Sequence, residues 1–418
     1  MAQASESTVS AILKEVYPGA IEDTLNNEVA LWAVLEKVKV QLDGQGKRVV
    51  RPVRVQRNNG FGARNDTDAL PVAGAQGLTQ AQINMSSNYM VGQLTARVIR
   101  TSFGSDAAFM NALEEEIKFG LSDFATEIGR QLYNGAGQLT TVNGVVTAST
   151  TVVVNDVKYL QVGMLVEFWN GATNQTTNDA GVVGTAIVSI NTATNTLVVT
   201  TAQTLATTAA VVRGGNNTSA TTSKEMQGLD TIIDDTTDFG TNYYGINRGP
   251  ANFYQLQGNR LDAATVLTED KMQQVIDNAR SIGGGRIDLI TCDYKTRRQY
   301  LNLLTSNKRY PVDGITAPSF AGGLKVSEDL RTQMGEGLSF DGAMVVPSRQ
   351  APAKKMFFMD TSSFKVFQQS DIEWVMNGDS ILHPLLSTGF DAYKFALFYD
   401  AQLYSESPAR SAKIVNTF

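Results

Sequence analysis

One apolar stripe constrains this chain more than anything else in it. In "SDAAFMNALEEEIKFGLSDFATEIGRQLYNG", Phe109, Leu113, Ile117, Leu121, Phe124, Ile128 and Leu132 recur at spacings of 4, 4, 4, 3, 4 and 4. Only an α-helix puts residues at that spacing on one face. The stripe predicts a helix of about eight turns, roughly 40 Å long at 1.5 Å per residue. Ser105 is placed to cap it, and Gly135 to end it as the residue after the C-cap. Glu114, Glu115, Lys118, Asp123, Glu127 and Arg130 fall on the other face, which reads as solvent-facing. A helix of that length needs a large body to lie on, and the chain supplies one: 418 residues, 42% apolar and 18% charged, enough for two or three packed units.

The flanks read differently. Before the helix, "IEDTLNNEVALWAVLEKVKV" carries Leu25, Val29, Trp32 and Leu35 on one stripe of a short helix, within an arm (1–45) whose apolar face has little chain nearby to cover it. Residues 46–92 read as a two-stranded ribbon with a loose tip. "GKRVVRPVRVQR" is its outgoing strand, with Pro52 marking an edge, and "INMSSNYMVGQLTARVIRTS" returns. Such a ribbon is marginal alone. Arg48, Arg51, Arg54, Arg57 and Arg64 suggest that it lies on another surface.

After the helix, Asn143–Thr204 holds only four charges, Asp156, Lys158, Glu167 and Asp179, amid Thr, Val, Asn and Gly. Its strand-like runs ("VVTASTTVVV", "GMLVEFW", "GTAIVSI", "NTLVVTT") alternate and are broken by turn residues, which predicts an all-β module over 138–223, a small barrel or sandwich. Mixed character then returns. "GLDTIID" reads as a strand, "TEDKMQQVIDNARSIGGG" as a capped helix, "RIDLITCD" as a buried strand and "YKTRRQYLNLLTS" as a helix. Strands follow to a last long one, "YKFALFYDAQLYS", expected to pair near the long helix.

Chemistry is hard to find. The only histidine, His383, sits beside apolar residues, and the only cysteine, Cys292, lies in an apolar strand. Neither builds a metal site within one chain. "SIGGGR" lacks the Lys-Ser/Thr of a phosphate loop and stops a helix. Asp234–Asp235 and Glu114–Glu116 are paired carboxylates without a cleft to converge in. A net charge of −6 gives no reason for tight nucleic-acid binding. No apolar run is long enough for a membrane helix, and the N-terminus has no signal-peptide pattern. An enzyme is not expected, and no cofactor or metal is.

The order of these segments resembles the major capsid proteins of tailed phages, the Hong Kong ninety-seven fold family. The passage from "NYMVGQLTARV" through the long helix to "LYNGAG", then "GLDTIID" with "YYGINRG", then "DAYKFALFYDAQLYSESPARSAKIVN", carries the resemblance. It implies an α+β fold with an N-arm (1–45), an E-loop ribbon (46–92), a P-domain with spine helix (93–137), an inserted β domain (138–223), a second P-domain part (224–261), an A-domain (262–345) and a return (346–418). It further implies a shell subunit that assembles with itself into hexamers and pentamers in the host cytoplasm and ends in the virion. A separate scaffolding protein and a portal are implied partners, with a decoration protein and non-specific contact to packaged double-stranded DNA as further ones; no membrane is involved. In relatives the E-loop lies across an adjacent subunit. Arg48, Arg51, Arg54 and Arg57 are therefore expected to meet a neighbour's Glu114, Glu115 and Glu116. No lysine lies between Lys47 and Lys118, so the covalent E-loop cross-link of some relatives is not expected. The alternatives are an encapsulin-type compartment shell and a tail or adhesin protein. For the β module, contact with neighbours, outer-surface display and an inward-facing role all stay open.

Overall fold

A computed structural model of the protein describes residues 30–40, 48–96, 106–249, 256–264, 266–305, 338–377, 381–385 and 391–417, with the backbone only at 30, 106–115 and 305. The long helix spans Asp106–Tyr133. Ile117, Leu121, Phe124, Ile128 and Leu132 are all buried in the largest core, as the stripe requires. Phe109, Leu113, Glu114 and Glu115 lie where only the backbone is described, and Ser105 lies outside the described residues.

The helix ends differently from the sequence reading. The left-handed residues are Ala136 (φ 50) and Gly137 (φ 71). Gly135 is needed for space instead: a Cβ there would come within 2.0 Å of the Phe239 ring.

Three sheets surround this helix. The first runs in the order Glu36–Lys39, Phe364–Gln368, Ala392–Ser405, with Ser86–Thr95 antiparallel along the other side of Ala392–Ser405. This is the expected return of the last long strand to the helix. Its partner is a surprise. Ser86–Thr95 does not pair with the outgoing ribbon strand; that strand, Val49–Gln56, pairs with Gly77–Ile83. The chain turns once more between Ile83 and Ser86, so the ribbon is shorter than the sequence implied. A strand's alternation shows which residues share a face, but it does not name the neighbour.

The second sheet has six strands, in the order Asn259–Asp262, Ala412–Val415, Met356–Met359, Leu289–Cys292, Ala343–Pro347 and Ser339–Phe340. It draws strands from both sides of 262–345. Helix Glu269–Gly283 packs on it through Met272, Val275, Ile276 and Ala279. That helix is capped as its sequence predicts: Lys271 N donates to Thr268 Oγ1 at 3.2 Å, and Gly284 takes φ 65 after the last turn. Helix Tyr294–Thr305 follows the buried strand Leu289–Cys292.

"GLDTIID" is not a strand. Leu229–Ile232 is a single buried helical turn. A Cβ at Gly228 would stand 2.2 Å from Asn134 O and 2.3 Å from Gln131 O, so the chain passes directly under the end of the long helix. The buried Arg248 of "GINR" donates to Ile232 O and Thr231 O at 2.9 and 2.8 Å, satisfying carbonyls the short helix leaves open.

The third sheet is the Thr/Val-rich module. Its strands run Gln138–Thr141, Ala210–Arg213, Leu165–Asn170, Thr185–Asn191, Thr196–Leu205 and Val146–Val153. A bridge between Val142 and Val154 brings the last strand back to the first, closing a six-stranded barrel. Its interior is its own: Val166, Phe168, Ile187, Leu197, Val199 and Val211 belong to a core separate from the other two.

The N-terminal side also departs from expectation. Leu31, Trp32 and Leu35 pack into the chain's own largest core, and the Trp32 ring stands edge-on to Tyr399, centroids 5.6 Å apart. The helix covers only Ala30–Val34 among the described residues before the chain becomes the strand Glu36–Lys39. Leu25 and Val29 fall outside them.

Candidate subunit interface

Alternation along the ribbon sorts its residues into two faces. Val53, Val55, Ala81 and Ile83 point to the body and are buried. Gln82 N donates to Tyr244 O at 2.8 Å, tying the ribbon base down. The other face carries Val50, Pro52, Arg54, Leu78 and Gln80, all exposed, and in the ladder Val50 stands opposite Gln82, Pro52 opposite Gln80 and Arg54 opposite Leu78. Beyond the ladder the tip leaves Phe61 74% exposed, Leu70 84% and Val72 89%. The backbone there approaches itself closely: a Cβ at Gly74 would lie 2.9 Å from Gly60 N. The feature that sequence reasoning missed is thus apolar. In the sequence the arginines stand out, whereas Phe61, Leu70 and Val72 read as part of a turn-rich tip. Their signal was available as large apolar residues in a loop with no helix or strand period.

The four ribbon arginines do not act as one basic strip. Arg51 lies on the inward face, its guanidinium 5.1 Å from the centre of the Phe367 ring, in a pocket of about 410 Å³ shared with Tyr404 and Glu406. Arg48 Nη1 donates to Gln82 Oε1. Arg57 stacks on its own tip, 5.7 Å from the Phe61 ring centre. Arg54 alone of the four stands on the outward ladder face. Of the three glutamates, Glu116 is exposed on the helix; the side chains of Glu114 and Glu115 lie outside the described ones. Among the described residues, none of the four arginines pairs with Glu116.

The end of the long helix is not solvent-facing at Glu127 and Arg130, although Glu116, Lys118 and Asp123 stay exposed. Arg130 is 2% exposed. Its Nη2 contacts Glu127 Oε1 and Glu225 Oε2, each at 2.5 Å, and Arg213 of the barrel reaches Glu127 Oε2 at 3.1 Å. Burial alone would push the Glu127 carboxyl up, but Arg130 and Arg213 hold it below the usual carboxylate range. This chain of charges docks the barrel onto the helix. Two further bonds complete the seam: Lys158 Nζ donates to Ala351 O at 2.5 Å and Tyr159 OH to Gln350 O at 2.7 Å. The last part of the polar face that the helical period assigns to solvent, at Glu127 and Arg130, is therefore covered by the module that follows it.

Between helix, barrel and the edge strand Ser86–Thr95 runs a groove of about 420 Å³. The strand brings Tyr89 and Val91, both exposed; the barrel brings Lys158, Met164 and Arg213; the turn after Ala343–Pro347 brings Arg349. Burial pushes the Lys158 ammonium down, and the neighbouring Arg349 adds to the effect. The outer edge of Ser86–Thr95 pairs with no described strand. Its sequence, "SSNYMVGQLT", has neither charge nor proline, the usual guards of a free edge.

The remaining polar candidates are structural. Asp234 is buried, with Lys413 Nζ at 3.0 Å and Arg248 Nη2 at 3.9 Å. Lys413, itself buried, also reaches Asp230 at 2.9 Å and Asp238 at 3.3 Å, joining the six-stranded sheet to the turn under the long helix. Burial would raise the Asp230 carboxyl, but Lys355 and Lys413 outweigh it and bring it to about 2. His383 Nε2 is 2.8 Å from Val375 O, and burial pushes the Cys292 thiol up. No described helix is long and apolar enough to cross a membrane.

No family model and no curated protein sequence matches this chain. Its fold, by contrast, recurs. A chain of the Cyanophage A-1(L) capsid asymmetric unit superposes with a TM-score of 0.56 at 13% identity, covering 94% of this chain and 93% of that one. The capsid of a native GTA particle is similar at a TM-score of 0.46 (11% identity; 94% and 90% covered), as is the holo-SrpI encapsulin complex from Synechococcus elongatus PCC 7942 at 0.42 (8%; 93% and 86%). Nothing further rests on those two. The chain has the α+β fold of a phage capsid subunit.

Proposed function

We propose that this protein is the major capsid protein of a tailed double-stranded DNA phage. In this reading copies of the chain assemble into hexamers and pentamers of a closed icosahedral head, formed in the host cytoplasm around a separate scaffolding protein and a portal. A decoration protein and sparse, non-specific contact with the packaged DNA complete its partners. The work is mechanical. The shell holds because many weak contacts are summed over a large buried area.

One observation carries the reading beyond fold. The ribbon turns Val50, Phe61, Leu70, Val72 and Leu78 outward, and Leu70 and Val72 are the two most exposed large apolar side chains among the described residues. Exposed apolar groups concentrated on a projecting element call for a partner surface. In a shell of identical copies that surface is a neighbour. Of the basic residues, Arg54, on the outward face, is our candidate to meet a neighbour's Glu116, with Arg48 and Arg57 as further candidates; Arg51 faces its own chain.

Electron microscopy of the purified full chain tests this. Closed particles built of hexamers and pentamers are expected. A monomer that stays soluble at high concentration, alone and with a scaffolding protein, would overturn it, and shells that fill with a cargo protein instead of DNA would replace it with a compartment shell. Arg54→Glu should lower particle yield without altering the fold of the monomer.

A further inference from the structure

Asparagine followed by glycine is a peptide pair prone to rearrange in water. With no side chain on the glycine, its amide nitrogen can swing onto the side-chain carbonyl carbon of the asparagine. The sequence has five such pairs: Asn59–Gly60, Asn134–Gly135, Asn143–Gly144, Asn170–Gly171 and Asn377–Gly378. The glycine of the last lies outside the described residues. The fold treats the other four differently.

Two are held. Gly60 N, the atom that would attack, donates to Asn58 Oδ1 at 2.7 Å. Asn134 is buried, its Nδ2 donates to Gln138 O at 2.9 Å, and Gly135 lies against the Phe239 ring. Asn170 is exposed, but it pairs with Thr173 across a tight hairpin, and Gly171 O accepts from Ala220 N at 2.8 Å. Asn143 is free where the reaction needs it. It is exposed, and neither its side chain nor Gly144 N has a hydrogen-bond partner among the described residues. Gly144 takes φ 97 with open space around it, and residues 143–145 belong to no strand. The pair also sits where the barrel closes. The bridge between Val142 and Val154 precedes it, and Asn143 N donates to Val153 O at 2.8 Å.

We infer that Asn143 is a site of spontaneous modification, converted to isoaspartate as the protein ages, and that the product loosens the barrel's closure. Gly144 N gives up its proton and bonds to Asn143 Cγ. The bond from Cγ to Nδ2 breaks, the nitrogen takes up a proton and leaves as ammonia, and a succinimide ring remains. Water then opens the ring. Attack at Cγ leaves aspartate; attack at the main-chain carbonyl leaves isoaspartate, with the chain running through Cβ and Cγ. Water is the only co-reactant. Both products add a negative charge. Isoaspartate also adds one atom to the main chain, between the bridge at Val142 and the strand Val146–Val153. The inference rests on the barrel alone and does not depend on the shell reading.

Timed incubation of the full chain at mildly alkaline pH tests it, read by peptide mass spectrometry and by labelling with an isoaspartyl methyltransferase. Asn143 should convert about tenfold or more faster than Asn59 and Asn134, whose contacts must open before either can react, with Asn170 between. In urea those contacts are gone, and the four pairs should react within about threefold of one another. Equal rates in the folded chain, or Asn59 or Asn134 ahead of Asn143, would overturn the assignment. Aged protein enriched in isoaspartate at 143 should unfold its barrel about 4 °C lower or more, whereas freshly purified Asn143→Asp, which adds the charge without the extra atom, should stay within about 1 °C of the parent. Asn143→Ser should pass through the same ageing with its barrel transition unmoved. An aged parent chain whose barrel transition does not shift, or an Asn143→Ser chain that loses as much as the parent, would overturn the loosening.

Discussion

The barrel and the ribbon both project from the same body, and they treat their apolar residues in opposite ways. The barrel curls six strands into a closed cylinder, so each inward side chain has neighbours all round, and Phe168, Val166 and Leu197 are fully buried. Closure also removes free edges. The ribbon has two strands and two faces. Only one face can sit on the body, through Val53, Val55, Ala81 and Ile83, and the tip reaches past it with Phe61, Leu70 and Val72 in water. A module that completes its own core is finished as a monomer. The ribbon leaves apolar side chains uncovered in the single chain, which the proposed shell would cover.

That contrast can be broken by substitution. The largest effect is expected inside the barrel. Phe168→Ala should cost about 3–5 kcal/mol through the lost burial and the cavity left behind. Calorimetry should show the loss in a transition belonging to the barrel, with the transition of the other two cores little moved. A single transition that shifts as a whole would show that barrel and body fold as one.

The junction comes next. Glu225→Ala leaves Arg130 buried with one carboxylate in place of two, at a cost of about 3 kcal/mol measured by urea unfolding. Arg130→Met combined with Glu225→Leu should recover most of it, because a buried pair replaced by apolar groups loses the desolvation cost along with the attraction. No recovery would mean that the seam needs its charges for geometry.

Acid probes the body itself. The Asp230 carboxyl is depressed from its ordinary value of 3.8 to about 2 in the folded chain. A depressed carboxyl adds stability that is fully present above the unfolded value and is lost as pH falls from about 4 through about 2; the amount is on the order of 2 kcal/mol. Urea midpoints measured between pH 6 and pH 2.5 should fall accordingly. Lys413→Met should flatten that part of the dependence, and an unchanged slope would remove Lys413 as its cause.

The smallest effect on the monomer is the most telling for the ribbon. Leu70→Ser with Val72→Ser should move monomer stability by less than about 0.5 kcal/mol, since neither side chain is buried in the chain, while particle yield falls. A destabilised monomer would mean that the tip packs on its own body after all.

Much of the architecture was legible in the residues, and the reason is local. The stripe from Ile117 to Leu132 and the buried run Leu289–Cys292 follow from the periods of helix and strand. Thr268 and Gly284 bound their helix because only certain side chains satisfy its ends. The sparsely charged alternation over 138–223 similarly implies strands with a core between them.

Long-range pairing was not legible. Nothing in "SSNYMVGQLT" says that it pairs with Ala392–Ser405, or that the outgoing ribbon strand pairs with Gly77–Ile83. Arg130 reads as solvent-facing because the helical period puts it opposite the stripe, and its partner Glu225 is 95 residues away. Arg51 is not told apart from the other arginines by the sequence, because the register that turns it toward Phe367 depends on which face of the ribbon the body covers. Backbone geometry repeats every few residues and leaves its mark on any short stretch of sequence. Which surfaces then cover one another is decided by the whole chain at once, so the seam of Arg130, Glu127, Glu225 and Arg213 exists only because helix and barrel come together.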